Sequence, residues 1–175
     1  MTGSVIWTVG HSVLTQSDFL ALLAAHGILG IADVRRFPAS RRHPHFNGDA
    51  MRQWLPDAGV KYEHFVELGG RRRASPASRN TGLRNESFRG YADYMATPPF
   101  QQAVERLLAW AGDQPTAVMC AEAVYWRCHR HLLADALAAR GTDVRHILDA
   151  SKARPHRIHE LARIEGFEVC YPGLL

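Results

Sequence analysis

The sequence predicts an α/β fold, with a mainly parallel central sheet of about five strands and helices on both faces. Three observations predict it. Short runs rich in Val and Ile alternate with segments of helical period, turn residues separate the two kinds of segment, and no internal repeat or low-complexity tract interrupts the alternation. At 175 residues with 46% apolar side chains, the chain can bury one core without disulfides or a structural metal.

Residues 5–9 read as the first strand. Thr15, with Asp18 three residues later, opens a helix whose stripe includes Phe19, Leu22 and Leu23, and Gly27 closes it. The second strand is 28–34. Asn47 is placed to cap a helix carrying Met51, Trp54 and Leu55, which Gly59 ends, and 60–66 alternates as a third strand. Residues 67–87 are rich in Gly, Arg, Ser and Asn without periodicity, so they read as a long loop that becomes ordered with a ligand. Two helices follow, over 88–96 and 99–110, divided by Pro98 and Pro99. The fourth strand is 116–120, the next helix spans 126–140 and ends at Gly141, and the fifth strand is 144–148. A short helix is expected near 155–165. The whole chain, 1–175, reads as a single domain with a basic loop insertion at about 67–87.

No apolar run reaches the roughly 18 residues needed to cross a bilayer, and no leader pattern precedes the first strand. Three cysteines are an odd and sparse set, which fits free thiols in a reducing compartment, so a cytoplasmic protein without a membrane partner is expected. The net charge of +4 is unevenly distributed: residues 35–89 hold twelve Arg and Lys against five Asp and Glu, a local balance of +7. Such a block attracts phosphate-bearing partners, or is a solvated arginine-rich loop.

Ligands of open parallel sheets bind outside the carboxyl ends of the strands. Those ends carry His11 and Ser12, then Asp33, Arg35 and Arg36, then Glu67 and Arg71, then Cys120 and Glu122, with Arg127, Cys128, His129 and Arg130 following. Cys120, at a strand end ahead of a helix, reads as a thiolate nucleophile or as a buried packing residue. Glu122 reads as a general acid or base, or as the partner of a nearby arginine, and Asp33 has the same two readings. A sulfurtransferase or phosphatase loop places its arginine six positions after the cysteine, whereas Arg127 lies seven after Cys120. Cys-x7-Cys-His is no recognised zinc spacing, so neither a metal nor any other cofactor is expected. His129 falls on an apolar stripe and reads as a core histidine. His43 and His45, with Arg41 and Arg42 beside them, are candidate phosphate contacts, or they decorate a solvated loop. Phe88, Arg89, Gly90, Tyr91, Tyr94 and Met95 combine aromatic faces with cations able to stack a base and contact its phosphate, or Tyr91, Tyr94 and Met95 form an i, i+3, i+4 core stripe.

Five ordered motifs carry a family pattern: T-V-G-H-S at 8–12, D-V-R-R-F-P-A-S at 33–40, E-L-G-G at 67–70, F-R-G-Y-A-D-Y-M at 88–95 and C-A-E-A-V-Y-W-R-C-H-R at 120–130. Together they resemble the domain-of-unknown-function family 488, over about residues 5–147. The resemblance implies no assigned activity, although members are sometimes labelled as DNA-repair-related. It marks His11, Ser12, Asp33, Arg35, Glu67, Tyr91, Cys120, Glu122, Cys128, His129 and Arg130 as motif positions without roles.

The leading expectation is an enzyme acting on a phosphate-bearing nucleotide or nucleic acid. Arginines would bind the anion, Glu122 would move a proton, His11 would polarise or relay, and Cys120 would attack or wall the pocket. The alternatives are a non-catalytic nucleic-acid-binding module, built on the basic block and the Tyr91 region, and a sulfurtransferase-like thiol enzyme.

Overall fold

The computed structural model describes residues 3–174. In chain order the elements are β1 (Val5–Gly10), α1 (Gln16–Ala25), β2 (Gly30–Asp33), α2 (Gly48–Asp57), β3 (Lys61–His64), α3 (Glu86–Met95), α4 (Pro98–Ala111), β4 (Thr116–Cys120), α5 (Arg130–Ala138), β5 (Asp143–Asp149), β6 (Lys152–Pro155), β7 (Arg163–Glu165) and β8 (Glu168–Cys170). Six strands form the central sheet in the order β3-β2-β4-β1-β5-β6, parallel except for β6, and β7 and β8 make a separate antiparallel hairpin.

Side-chain alternation builds a core on each face. Ile31, Ala117 and Met119 pack with Phe19, Leu23, Met51 and Leu55 of α1 and α2. Their neighbours Ala32 and Val118 turn the other way, onto Tyr91, Phe100, Leu107 and Leu133 of α3, α4 and α5. β1 contributes Val9 to the first core and Ile6 to the second. The layers are therefore helix, sheet, helix. Among the described residues no helix is long and apolar enough to cross a membrane.

Several end signals act as expected. The Thr15 side chain accepts the Asp18 N–H, and Gly27, Gly59 and Gly141 take positive φ of 66°, 79° and 82° after their helices. Asn47 precedes α2 but makes no side-chain cap, because its Oδ1 accepts from Ser40 N–H instead.

Three expectations fail locally. The helix read over 126–140 begins only at Arg130; Tyr125–Arg127 is a 3-10 turn, which frees Cys128 and His129 from helical geometry. The helix expected near 155–165 is absent, replaced by β6 and the β7–β8 hairpin. A distant partner claims part of the segment: buried Asp135 accepts from the His156 side-chain Nε2 at 2.7 Å and the His159 backbone N–H at 3.1 Å, and also from Tyr171 O–H at 2.7 Å. The same chain continues through His156 to His146 at 2.9 Å and on to the Thr8 hydroxyl at 2.7 Å. The long loop, finally, is tied down without a ligand. Asp93 of α3 accepts from Ser75 N–H, Ser78 O–H and Asn80 Nδ2, and Asn80 Oδ1 accepts from Tyr171 N–H.

Candidate active site at the strand ends

Parallel register decides which groups meet. Gly10 lies opposite Cys120 across β1 and β4, and Asp33 lies opposite Met119 across β2 and β4, so three strands end nearly level. Backbone bonds carry the alignment past the strand ends, from His11 N–H to Cys120 C=O (3.0 Å), Ser12 N–H to Ala121 C=O (2.9 Å) and Val34 N–H to Met119 C=O (3.0 Å). Gly10 is required here: a Cβ on it would lie 1.9 Å from the Glu122 carbonyl oxygen. A cleft of about 630 Å³ opens beyond these ends, within the range of small-molecule sites.

Of the residues singled out from sequence, His11, Ser12, Arg35, Arg71, Cys120, Glu122, Cys128 and His129 line this cleft. Others do not. Asp33 and Arg130 are buried behind it. Tyr91 is fully buried, donates its hydroxyl to Leu68 C=O at 2.9 Å and packs against the His129 ring, so it takes the core-stripe alternative and offers no face to a base. Glu67 sits on a 3-10 turn that points Leu68 inward and Glu67 outward, where it pairs with Arg106 at 3.2 Å. Arg41 is exposed and outside the cleft lining.

Phe37 was not singled out from sequence. It lines the cleft while 63% exposed, and the Arg36 guanidinium lies 5.5 Å from its ring centroid. A lone aromatic residue between Arg36 and Pro38 was its available signal. Arg36, His43 and Arg127, all named from the sequence, also line the cleft.

Arg35 is held rigidly. Asp33 accepts from its Nε at 2.9 Å and its Nη2 at 2.7 Å, His11 Nε2 faces Nη1 at 3.2 Å, and Met51 Sδ lies 3.6 Å from Nη2. Of five guanidinium N–H groups this leaves one, on Nη1, without a protein partner. The Asp33 carboxylate also accepts from Arg35 N–H and from the Tyr62 hydroxyl. Asp33 thus orients Arg35 and has no access to a ligand.

His11 has its tautomer fixed by neighbours. Nδ1–H donates to Ser12 C=O at 2.9 Å, so Nε2 presents a lone pair to Arg35. Burial, joined by the Arg35 charge, pulls its pKa down to about 4, which keeps the ring neutral and stacked on Phe46 at 4.2 Å. Its basic nitrogen is already engaged.

Cys120, Cys128 and His129 bring their two Sγ atoms and an imidazole nitrogen within 4.8 Å of one another. His129 donates Nε2–H to Val34 C=O at 3.1 Å, leaving Nδ1 3.6 Å from Cys128 Sγ. The two thiols shift each other in opposite directions. Interaction with Cys128, reinforced by burial, drives the Cys120 thiol up; interaction with Cys120, aided by Arg130, pulls Cys128 down to about 6. Arg130 is 1% exposed, its Nε has no hydrogen-bond partner, and no carboxylate among the described residues pairs with it. Its Nη2 donates to the Glu122 carbonyl and its backbone N–H approaches Cys128 Sγ at 3.4 Å.

Backbone strain gathers at the same place. Ser12 and Arg71, with φ of 47° and 58°, are the non-glycine residues in the left-handed region among those described, and both line the cleft. Glu122, exposed on the rim, holds only a long contact of 3.4 Å from Val124 N–H.

Residues 15–137 match the model of the family described as Domain of unknown function DUF488, and the chain belongs to that family. The matched segment includes the motifs at 33–40, 67–70, 88–95 and 120–130, while T-V-G-H-S at 8–12 lies before it. Neither a curated protein nor a solved structure matches the chain.

Proposed function

We propose that this member of the DUF488 family is an enzyme acting on a phosphate-bearing nucleotide, free or within a nucleic acid, bound in the strand-end cleft. The supporting observation is the charge of that cleft: Arg35, Arg36, Arg71 and Arg127 line it, and Glu122 is the single carboxylate that does. Four guanidinium groups lining the cleft with one acid favour a multiply charged anion, which Arg35 would meet through its one remaining N–H and the other arginines through planar guanidinium donors. Arg35 contributes most per contact, because Asp33 and His11 have already removed its rotamer freedom. Phe37 supplies the apolar face on which a base stacks.

Within this reading Glu122 is the general acid or base, being the rim carboxylate open to solvent and ligand. His11 is a positioning residue for Arg35, since its Nε2 is engaged and its ring neutral. Cys120, whose thiol keeps its proton, walls the pocket. The non-catalytic alternative would stack a base on Phe37 or Phe88, which line the cleft, rather than on buried Tyr91.

Thermal-shift titration with phosphate, pyrophosphate and nucleoside mono-, di- and triphosphates tests the proposal against sodium chloride of matched ionic strength. Stabilisation is expected from the polyphosphates. Arg71→Ala and Arg127→Ala should each weaken binding about tenfold, the loss of roughly 1.4 kcal/mol of ligand contact. Glu122→Gln should retain binding while turnover of the best ligand falls by about 10²-fold or more. Equal melting temperatures in every anion and in chloride would overturn the proposal.

A further inference from the structure

We propose that Cys120, Cys128 and His129 together bind a zinc-type divalent cation on the inner wall of the cleft, with one coordination position open to it. This goes beyond the anion-binding reading and stands on different residues. The sequence spacing argued against a metal because short zinc motifs take their ligands from one local turn. Here the ligands come from a strand end and from the approach to α5, and an intervening loop folds back to join them. That loop is anchored by the Tyr125 ring stacked on His146 at 3.5 Å and by Arg130 on the Glu122 carbonyl.

Four features fit a cation rather than three idle side chains. Donor atoms around a tetrahedral zinc stand roughly 3.5–3.8 Å apart, given metal–sulfur bonds of about 2.3 Å and metal–nitrogen bonds of about 2.0 Å. Cys128 Sγ and His129 Nδ1 are 3.6 Å apart already, and all three donors lie within 4.8 Å, a gap that small side-chain rotations close. The second nitrogen of His129 donates to the Val34 carbonyl, the outer contact that fixes the tautomer and aims the free lone pair of a ligating imidazole. Gly70 keeps that lone pair uncovered, since a Cβ there would lie 2.8 Å from His129 Nδ1. The Arg130 backbone N–H, 3.4 Å from Cys128 Sγ, is placed as an outer-shell donor to a metal thiolate.

Metal binding would displace the thiol protons of Cys120 and Cys128 to solvent, and the two thiolates so formed would neutralise a dication, so the arginines of the cleft stay available to an anion. Two sulfurs and one imidazole leave a fourth position, the arrangement of catalytic rather than structural zinc, and a cation so held acts as a Lewis acid toward a water or a ligand oxygen.

Cobalt titration of the reduced, metal-stripped full chain tests this. One equivalent should bind, with a thiolate-to-cobalt charge-transfer band and the intense visible bands of a tetrahedral site, and zinc should displace it. Cys120→Ser and Cys128→Ser should each diminish the charge-transfer band and weaken binding by more than the roughly 10- to 100-fold cost of losing an outer-shell partner. Cys120, at a strand end and partly exposed, is the safer of the two for folding. Gly70→Ala should weaken binding, whereas Cys170→Ser, which removes the third free cysteine, should leave the spectrum unchanged. No uptake by the reduced wild type, or undiminished bands in Cys120→Ser, would overturn the proposal. Isolation of a Cys120–Cys128 disulfide form that takes up no cobalt after reduction would do the same. Arg71→Ala separates the two readings, because it should lose anion affinity and keep the cobalt spectrum.

Discussion

Two buried carboxylates organise two polar clusters, and the clusters end differently. Asp135 gathers His156, His159 and Tyr171, and the chain of bonds runs on through His146 to Thr8. With neutral rings every donor in that chain has an acceptor: the Thr8 hydroxyl donates to His146 Nδ1, His146 Nε2–H to His156 Nδ1, and His156 Nε2–H to Asp135. None of these residues lines the strand-end cleft. Asp33 likewise holds Arg35 and Tyr62, but its cluster finishes in an unused Arg35 N–H facing a cavity. Burial and coupling are common to both. What separates a site from a staple is the spare valence directed at open space.

The largest expected consequence falls on the closed cluster. Asp135→Ala orphans two side chains and a backbone N–H, and should cost about 4 kcal/mol of stability, at roughly 1–3 kcal/mol for each buried donor left unsatisfied. Urea unfolding followed by circular dichroism measures it. Anion affinity of the remaining folded protein should be unchanged, and a selective loss of affinity would break the contrast.

Per pH unit, a smaller effect is shared by the two clusters. His11 and His146 are held neutral by burial, with pKa values lowered from 6.5 to about 4 and about 3. Below pH 6.5 the unfolded chain binds protons that the folded chain refuses. Stability should therefore fall with pH by about 1.4 kcal/mol per unit for each histidine, levelling off as the folded values are passed. Equilibrium unfolding between pH 8 and pH 4 tests the sign. His11→Gln should flatten the acid limb by one such contribution, and an unchanged slope would contradict the assignment.

Much of the site was legible before the fold, because strand-end rules need only the strands. The Val- and Ile-rich runs placed Cys120 at the last position of β4 and His11 just beyond β1, and parallel register then brought the two together. Residues whose partners lie far along the chain were misread. His129 appeared to belong to a helical stripe, but Val34 C=O, 95 positions away, holds it in front of α5. Segment 155–165 has a plausible local helical reading, which Asp135 and the β5–β6 pairing overrule. Glu67 lies near a strand end as expected, yet a single 3-10 turn reverses its direction. Phe37 was hidden for the opposite reason, since exposed aromatic residues leave no periodic trace.

The most direct test of the account is a pyrophosphate titration followed by amide chemical shifts of the full chain. Perturbations should concentrate at Ser12, Gly70 and Glu122 and at the Arg35 Nη1 protons, leaving Asp135, His156 and Tyr171 still. Shifts centred on the Asp135 cluster, or none at the strand ends at saturating ligand, would contradict the claim that the open valence marks the working site.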